Sequence, residues 1–308
     1  MRMIKQPQSG CFIIPSRTKQ SQRGARSTPF SFTRLYGRLN INCRRSSASF
    51  KVCFCMNLRE RLYLSTIAED AARLARGESL GVELAAFCTA SNMDMPDFAV
   101  WSKRAEEDCA GTRGVIFHAP FAELFPSAID PLAVRLAEER LNQAYALCER
   151  FGARRMVVHS GFVPTIYYKE WFTERSVLFW RRFLTDKPAA FELLIENVLE
   201  DEPYTLAGMV RQIDDPRARL CFDVGHANAA HSSVPLADWA RIFAPALAHV
   251  HLHDNDGSHD WHRPLGEGTI DFGTLLPLLS SLAPDASFTI ENLRCAPSLD
   301  YLRAHGWL

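Results

Sequence analysis

The chain has 308 residues, 47% hydrophobic and 23% charged, which excludes a collagen-like or broadly disordered polypeptide. No stretch approaches the ~18–20 consecutive apolar residues of a membrane-spanning helix, so no membrane association is expected. The 35 basic and 35 acidic residues cancel formally, but the first 55 residues contain no acidic side chain. All the carboxylates therefore fall in residues 56–308, which are net acidic and poorly suited to general attraction of nucleic acid.

Residues 1–55 are rich in Arg and Ser and show no sustained periodicity. The apolar run Cys11–Pro15 is too short for a secretory signal. This segment reads as a non-core leader: a transit segment, a start-site misassignment before Met56, or a basic DNA-binding arm. The expected location is cytoplasmic, or an organelle if the leader directs import. Cys88, Cys109, Cys148, Cys221 and Cys295 lack paired zinc-binding spacing and read as free thiols in a reducing compartment.

From Met56 onward short apolar runs alternate with longer helical ones. Strands are expected at Leu62–Leu64, Val82–Phe87, Val115–Phe117, Met156–Val158, Phe191–Ile195, Leu220–Phe222, His249–Leu252 and Ser287–Ile290. The intervening helices fall at Ala68–Arg76, Phe98–Ala110, Pro131–Phe151, Val177–Leu184, Leu206–Ile213, Leu236–Phe243 and Phe272–Leu282, with Ser298–Ala304 last. Gly161–Phe172 is expected to be a long aromatic loop, and the aromatic-rich segment Phe162–Trp180 reads as a substrate lid, an oligomer contact or plain packing. Arg181-Arg182 could meet phosphate or form a solvated helix face. Nearly continuous apolar strands suit a parallel sheet covered by helices. Eight strand–helix units in 253 residues predict an α/β fold, a single (β/α)8 TIM barrel over residues 56–308. No glycine-rich phosphate loop follows a strand, which argues against a dinucleotide or nucleoside triphosphate site.

His118, His159, Glu196, Asp223, His251 and Glu291 stand at or near the ends of six of these strands. His226 lies one short turn past Asp223, and Asp260 and His262 lie in the long loop after the seventh strand. Each alone reads as a packed histidine, a helix cap or a solvated loop residue. A barrel would gather them at one mouth, where imidazoles and carboxylates supply N and O ligands to a divalent metal.

The motifs HAP at His118–Pro120, VVHSG at Val157–Gly161, IEN at Ile195–Asn197 and CFDVGH at Cys221–His226 form an ordered series. It continues with HLHDNDGSHDWHRPLGEG at His251–Gly268 and TIEN at Thr289–Asn292. Together they resemble the xylose-isomerase-like TIM-barrel superfamily, which includes sugar isomerases and epimerases and the endonuclease IV class of apurinic-site nucleases. The resemblance implies one metal, Mn²⁺ or Zn²⁺, on Glu196, Asp223, His251 and Glu291 in epimerase-like members. In nuclease-like members it implies up to three, with His118 and His159 sharing Glu196, and His226, Asp260 and His262 holding the third. DNDGSHDWH and CFDVGH depart from the nuclease pattern.

The preferred expectation is a divalent-metal-dependent isomerase or epimerase of a sugar or polyol ketone, working through an enediolate. Glu196 and Glu291 would exchange the proton, and His226 would orient or polarise a substrate oxygen. The alternative is a trinuclear phosphodiesterase acting at apurinic DNA. A homo-oligomer is compatible with either.

Overall fold

The computed structural model describes residues 57–229 and 232–308; the expectations for residues 1–55 lie outside them. Eight parallel strands follow one another around a closed barrel: β1 (Leu62–Ser65), β2 (Gly81–Leu84), β3 (Val115–His118), β4 (Arg155–His159), β5 (Glu192–Glu196), β6 (Ala218–Asp223), β7 (Leu247–Leu252) and β8 (Ser287–Ile290). β8 closes the ring against β1. The helices are α1 (Ala71–Glu78), α2 (Phe98–Cys109), α3 (Pro131–Arg150), α4 (Lys169–Leu184), α5 (Tyr204–Ile213), α6 (Val224–Ala229), α7 (Leu236–Phe243), α8 (Phe272–Leu282) and α9 (Cys295–Ala304). The expected (β/α)8 TIM barrel is the observed fold.

Strand parity explains the core. Side chains alternate across a strand, so Leu62, Val82, Phe117, Val158, Ile195, Phe222, Val250 and Phe288 join the large apolar cluster with the helices. The opposite parity carries Ile116, Val157, Leu194 and Cys221, a second cluster that packs with Tyr63 and with Ala248, the unpaired residue where β7 shifts register. Polar residues of that inward parity, Glu83, Glu196, Asp223, His249 and His251 among them, are fully buried.

Register sets the site. Pairing is regular from β4 to β5, with His159 opposite Glu196. Between β6 and β7 it shifts: Leu220 pairs with Leu247, but Cys221 pairs with His249. The extra residue on β7 brings Asp223 opposite His251, the kind of re-aiming a bulge provides near a functional site.

Some expected boundaries move. β2 stops at Leu84, and the residues to Phe87 turn away after the Ala85 N–H donates to Thr66 Oγ1. α4 begins at Lys169 rather than Val177, so the aromatic loop ends at Tyr168. Phe172, Phe179 and Trp180 are buried residues of α4 itself, and Trp171 donates its indole N–H to the Ser127 carbonyl, so packing accounts for most of the aromatic run. Arg181 donates to the carbonyls of Gln212 and Ile213, and Arg182 pairs with Glu138. Neither arginine is poised for phosphate. The five cysteines of the described residues are free thiols. No helix of the described residues is long and apolar enough to cross a membrane.

Asp254 organises the long loop after β7. Its buried carboxylate accepts from the backbone N–H groups of Asn255, Gly266, Gly268 and Ile270 at 2.9–3.2 Å. Gly268 has no room for a Cβ, which would overlap the Asn255 carbonyl and the Asp254 carboxylate. Asp254→Ala strands these donors, of which the Asn255 and Ile270 N–H groups bond in the buried interior, and is expected to cost about 3 kcal/mol. Thermal or urea unfolding measures the loss.

Candidate metal centre

The inward parity of β3–β8 converges imidazoles and carboxylates at the C-terminal mouth. Their spacing fits bound ions. Two ligand atoms each ~2.1 Å from a tetrahedral metal stand about 3.4 Å apart. His251 Nδ1 lies 3.4 Å from Glu196 Oε1, 3.5 Å from Asp223 Oδ2 and 3.0 Å from Glu291 Oε2. His118 Nε2 and His159 Nε2 lie 3.5 and 3.6 Å from Glu196 Oε2. Asp260 Oδ2 lies 3.3 Å from His226 Nε2 and 3.0 Å from His262 Nε2. The nine sequence-selected residues therefore form three adjoining groups, each capable of holding a divalent ion, with Glu196 shared between two.

A second observation supports that fit. Both Glu196 carboxylate oxygens, His251 Nδ1 and Asp260 Oδ1 are buried without a hydrogen-bond partner. Unpaired buried polar atoms are costly, and a cation among them removes that cost. The imidazoles are also pre-set. Nδ1 of His118 faces the Ala119 carbonyl at 2.9 Å, Nδ1 of His226 the Asn197 carbonyl at 3.1 Å, and Nδ1 of His262 the Glu291 carbonyl at 2.8 Å. Donation from Nδ1 leaves the Nε2 lone pair free toward the centre, the usual outer support of a ligating histidine.

Local structure holds these groups. Asp223 closes β6, and its Oδ1 accepts the His226 backbone N–H at 2.6 Å, starting α6 where the sequence suggested only a turn. Asn197 brackets the same strand end, donating to the Asp223 carbonyl and accepting its N–H, both at 2.9 Å. Phe121 stacks on His159 with ring centroids 4.4 Å apart, and Trp261 stands half-exposed between Asp260 and His262.

Three nearby residues escaped the sequence reading. His253 places Nε2 2.9 Å from Asp223 Oδ1 and stacks on His262 at 3.9 Å, and Gly225 leaves space for its ring. Glu83 and His249 lie inside the barrel below His251. The available signals were a charge inside the apolar run of β2 and the alternation His249-x-His251-x-His253, which places two imidazoles on one face of β7 and a third just past its end.

Electrostatics ties the cluster together. Burial opposes the charged form of His118, His226, His251 and His262, but neighbouring carboxylates outweigh it and raise their pKa values, His262 to about 9. His159 goes the other way, lowered by burial to about 4. Burial would raise Glu196, yet the surrounding imidazoles hold it well below the carboxylate range. In the metal-free protein near neutral pH, protons on the raised histidines therefore offset the carboxylates, and an entering ion must displace them. Zn²⁺ binding at pH 7 is expected to release about one proton or more per ion. Apparent affinity should rise with pH toward the His262 value of about 9. Titration in weak buffer with a pH indicator measures the release; binding without it would contradict this charge balance.

Comparison with known proteins agrees with this architecture. An uncharacterized protein of Methanocaldococcus jannaschii, MJ1311, is 28% identical over 191 residues, 58% of this chain. The match spans 64% of that protein, under two thirds of its length. The Thermus thermophilus protein TTHB071, in a structure soaked with ZnCl2, is 25% identical with a TM-score of 0.62. That match covers 79% of this chain and 97% of the other. A D-tagatose 3-epimerase-like protein superposes with a TM-score of 0.64 at 21% identity, over 80% of this chain and 95% of that one. The xylose isomerase-like TIM barrel family matches residues 68–308, and the chain belongs to that family.

Proposed function

We propose that the protein is a divalent-metal-dependent isomerase or epimerase of a sugar or sugar-like polyol ketone. The observation that carries this reading is the convergence of Glu196, Asp223, His251 and Glu291 at one mouth. Glu196 and Glu291 come from strands three places apart around the ring, so their carboxylates approach a bound substrate from different sides. A divalent ion on these four residues, Mn²⁺ or Zn²⁺ by ligand type, supplies Lewis-acid polarisation of adjacent carbonyl and hydroxyl oxygens. One of the two glutamates removes the proton from the carbon beside the carbonyl, and the other returns a proton from its own side. His226 orients or polarises a substrate oxygen. The exposed faces of Phe121 and Trp261 offer apolar contact to the C–H face of a sugar. The structural likeness to a D-tagatose 3-epimerase-like protein supports the same reading.

The three adjoining clusters favour a second reading, a trinuclear phosphodiesterase. The charge around the mouth weighs against it. Lys169 pairs with Asp201 and Glu202 at 2.6 and 2.9 Å, and Arg263 pairs with Asp256 at 2.9 Å, so these cations are already neutralised. A polyanionic strand needs free cations for its phosphates.

Glu196→Gln and Glu291→Gln keep side-chain volume while removing an anionic donor and a proton-transfer group. Each is expected to lower turnover by about 100-fold or more in a folded, metal-loaded protein. Solvent deuterium incorporation across a ketose panel measures it; near-native exchange in either variant removes that residue from the mechanism.

Asp260→Asn and His262→Gln separate the two readings. An isomerase working with the Glu196–Asp223–His251–Glu291 site keeps most of its turnover in both. A phosphodiesterase loses it in proportion to the third ion. Abasic-strand cleavage that tracks occupancy of that ion, with no exchange into any ketose, would overturn the isomerase proposal.

A further inference from the structure

Below the candidate centre, the barrel interior holds a chain of hydrogen bonds that ends on Glu83. It starts at Arg155, where Nη1 donates to Ser287 Oγ at 2.6 Å, Nη2 donates to the Ala248 carbonyl and Nε faces Glu192 at 2.8 Å. Ser287 Oγ lies 2.6 Å from His249 Nδ1. His249 Nε2 lies 3.0 Å from Glu83 Oε2, and Thr289 donates to the same oxygen at 2.7 Å. His251 Nε2 completes the set, 3.1 Å from Oε1 and 3.2 Å from Oε2. Glu83, His249, His251 and Thr289 are all fully buried.

Donor chemistry gives this chain a direction. Arginine has no acceptor, so Ser287 Oγ accepts from Arg155 and spends its own proton on His249 Nδ1. A neutral His249 then carries its proton on Nε2, pointing at Glu83. The carboxylate accepts from His249 and Thr289 and has no proton to give. His251 Nε2 faces that acceptor and must be an N–H. A neutral imidazole carries one N–H, which leaves the lone pair on Nδ1, the atom 3.0–3.5 Å from Glu291, Glu196 and Asp223.

We infer that Glu83 is a positioning residue for the metal centre, holding His251 as its Nε2–H tautomer with Nδ1 presented to the ion. Among the candidate ligands, Nδ1 of His118 and of His262 faces a neutral carbonyl, and that of His226 faces the Asn197 carbonyl at 3.1 Å and Glu196 Oε1 at 3.2 Å, whereas Nε2 of His251 faces the Glu83 carboxylate. An anionic acceptor makes the ligating nitrogen more basic and fixes the ring plane. Glu83 therefore strengthens this site over the other two, and the site filled first is the one that carries the proposed chemistry. The inference rests on the metal-dependent reading above and is independent of the substrate.

The test is Zn²⁺ affinity of the full-length chain, read by chelator competition without any turnover assay. Glu83→Gln should weaken the tightest site by about 10–100-fold, and Glu83→Asp should recover part of the loss. In a His251→Gln background, Glu83→Gln should change affinity less than twofold, because the residue it acts through is gone. An unchanged affinity in Glu83→Gln, or an equal loss with and without His251, would overturn the inference. Histidine ¹⁵N spectra of the Zn²⁺-loaded parent, assigned with His251→Gln, decide the matter even if Glu83→Gln fails to fold. A metallated Nδ1 and protonated Nε2 are expected for His251; coordination through Nε2 would overturn it. Failure of the parent to bind Zn²⁺ would instead remove the metal-dependent reading itself.

Discussion

Four carboxylates, Glu83, Glu196, Asp223 and Glu291, are folded into one end of a barrel that nearly excludes solvent. An uncompensated buried charge costs several kcal/mol, so the fold must surround them with cations or hydrogen-bond donors. The imidazoles of His118, His226, His249, His251 and His253 and the hydroxyl of Thr289 meet that demand from neighbouring strands and loops. The arrangement is tolerable in the apo state because the histidines can hold protons, and it invites a divalent ion because the same nitrogens can release them. Charge balance couples folding of the mouth to occupancy of the site.

That coupling divides the barrel along its axis. Below the mouth, Ile116, Val157, Leu194, Cys221 and Ala248 form an apolar layer inside the ring. Beside it runs the polar column from Arg155 to Glu83, linked by hydrogen bonds through Ser287, His249 and Thr289. Above lie groups that the protein alone leaves partly unsatisfied, notably both oxygens of Glu196. Stability comes from the outer cluster of strands and helices, while reactive capacity is confined to loops and strand ends, the usual partition of this architecture.

Much of the site was legible because strand ends carry chemistry in a barrel. His118, Glu196 and Asp223 terminate β3, β5 and β6 as expected, and Glu291 stands one residue beyond β8. Asp260 and His262 stood out by residue type, by their place in the loop after the seventh strand and by the motif resemblance, since the loop carries no periodicity. Their approach to His226 depends on the Asp254 carboxylate drawing the loop inward. Glu83 was missed because it sits inside a strand rather than at its end, where a single charge among apolar residues is easily read as a boundary error.

By itself the sequence determined the fold class and nine of the donors gathered at the mouth. Apolar runs separated by amphipathic helices admit few packings other than a helix-covered parallel sheet, and eight units suffice to close it. Only the tertiary structure decided which nitrogen of each imidazole faces the centre and which donors share an oxygen. Those facts depend on barrel closure and on the register shift between Leu220 and Cys221 that sets Asp223 beside His251. Neither depends on local propensity. They arise from contacts between residues far apart in the chain, where a one-residue change in register turns a ligand away from the site.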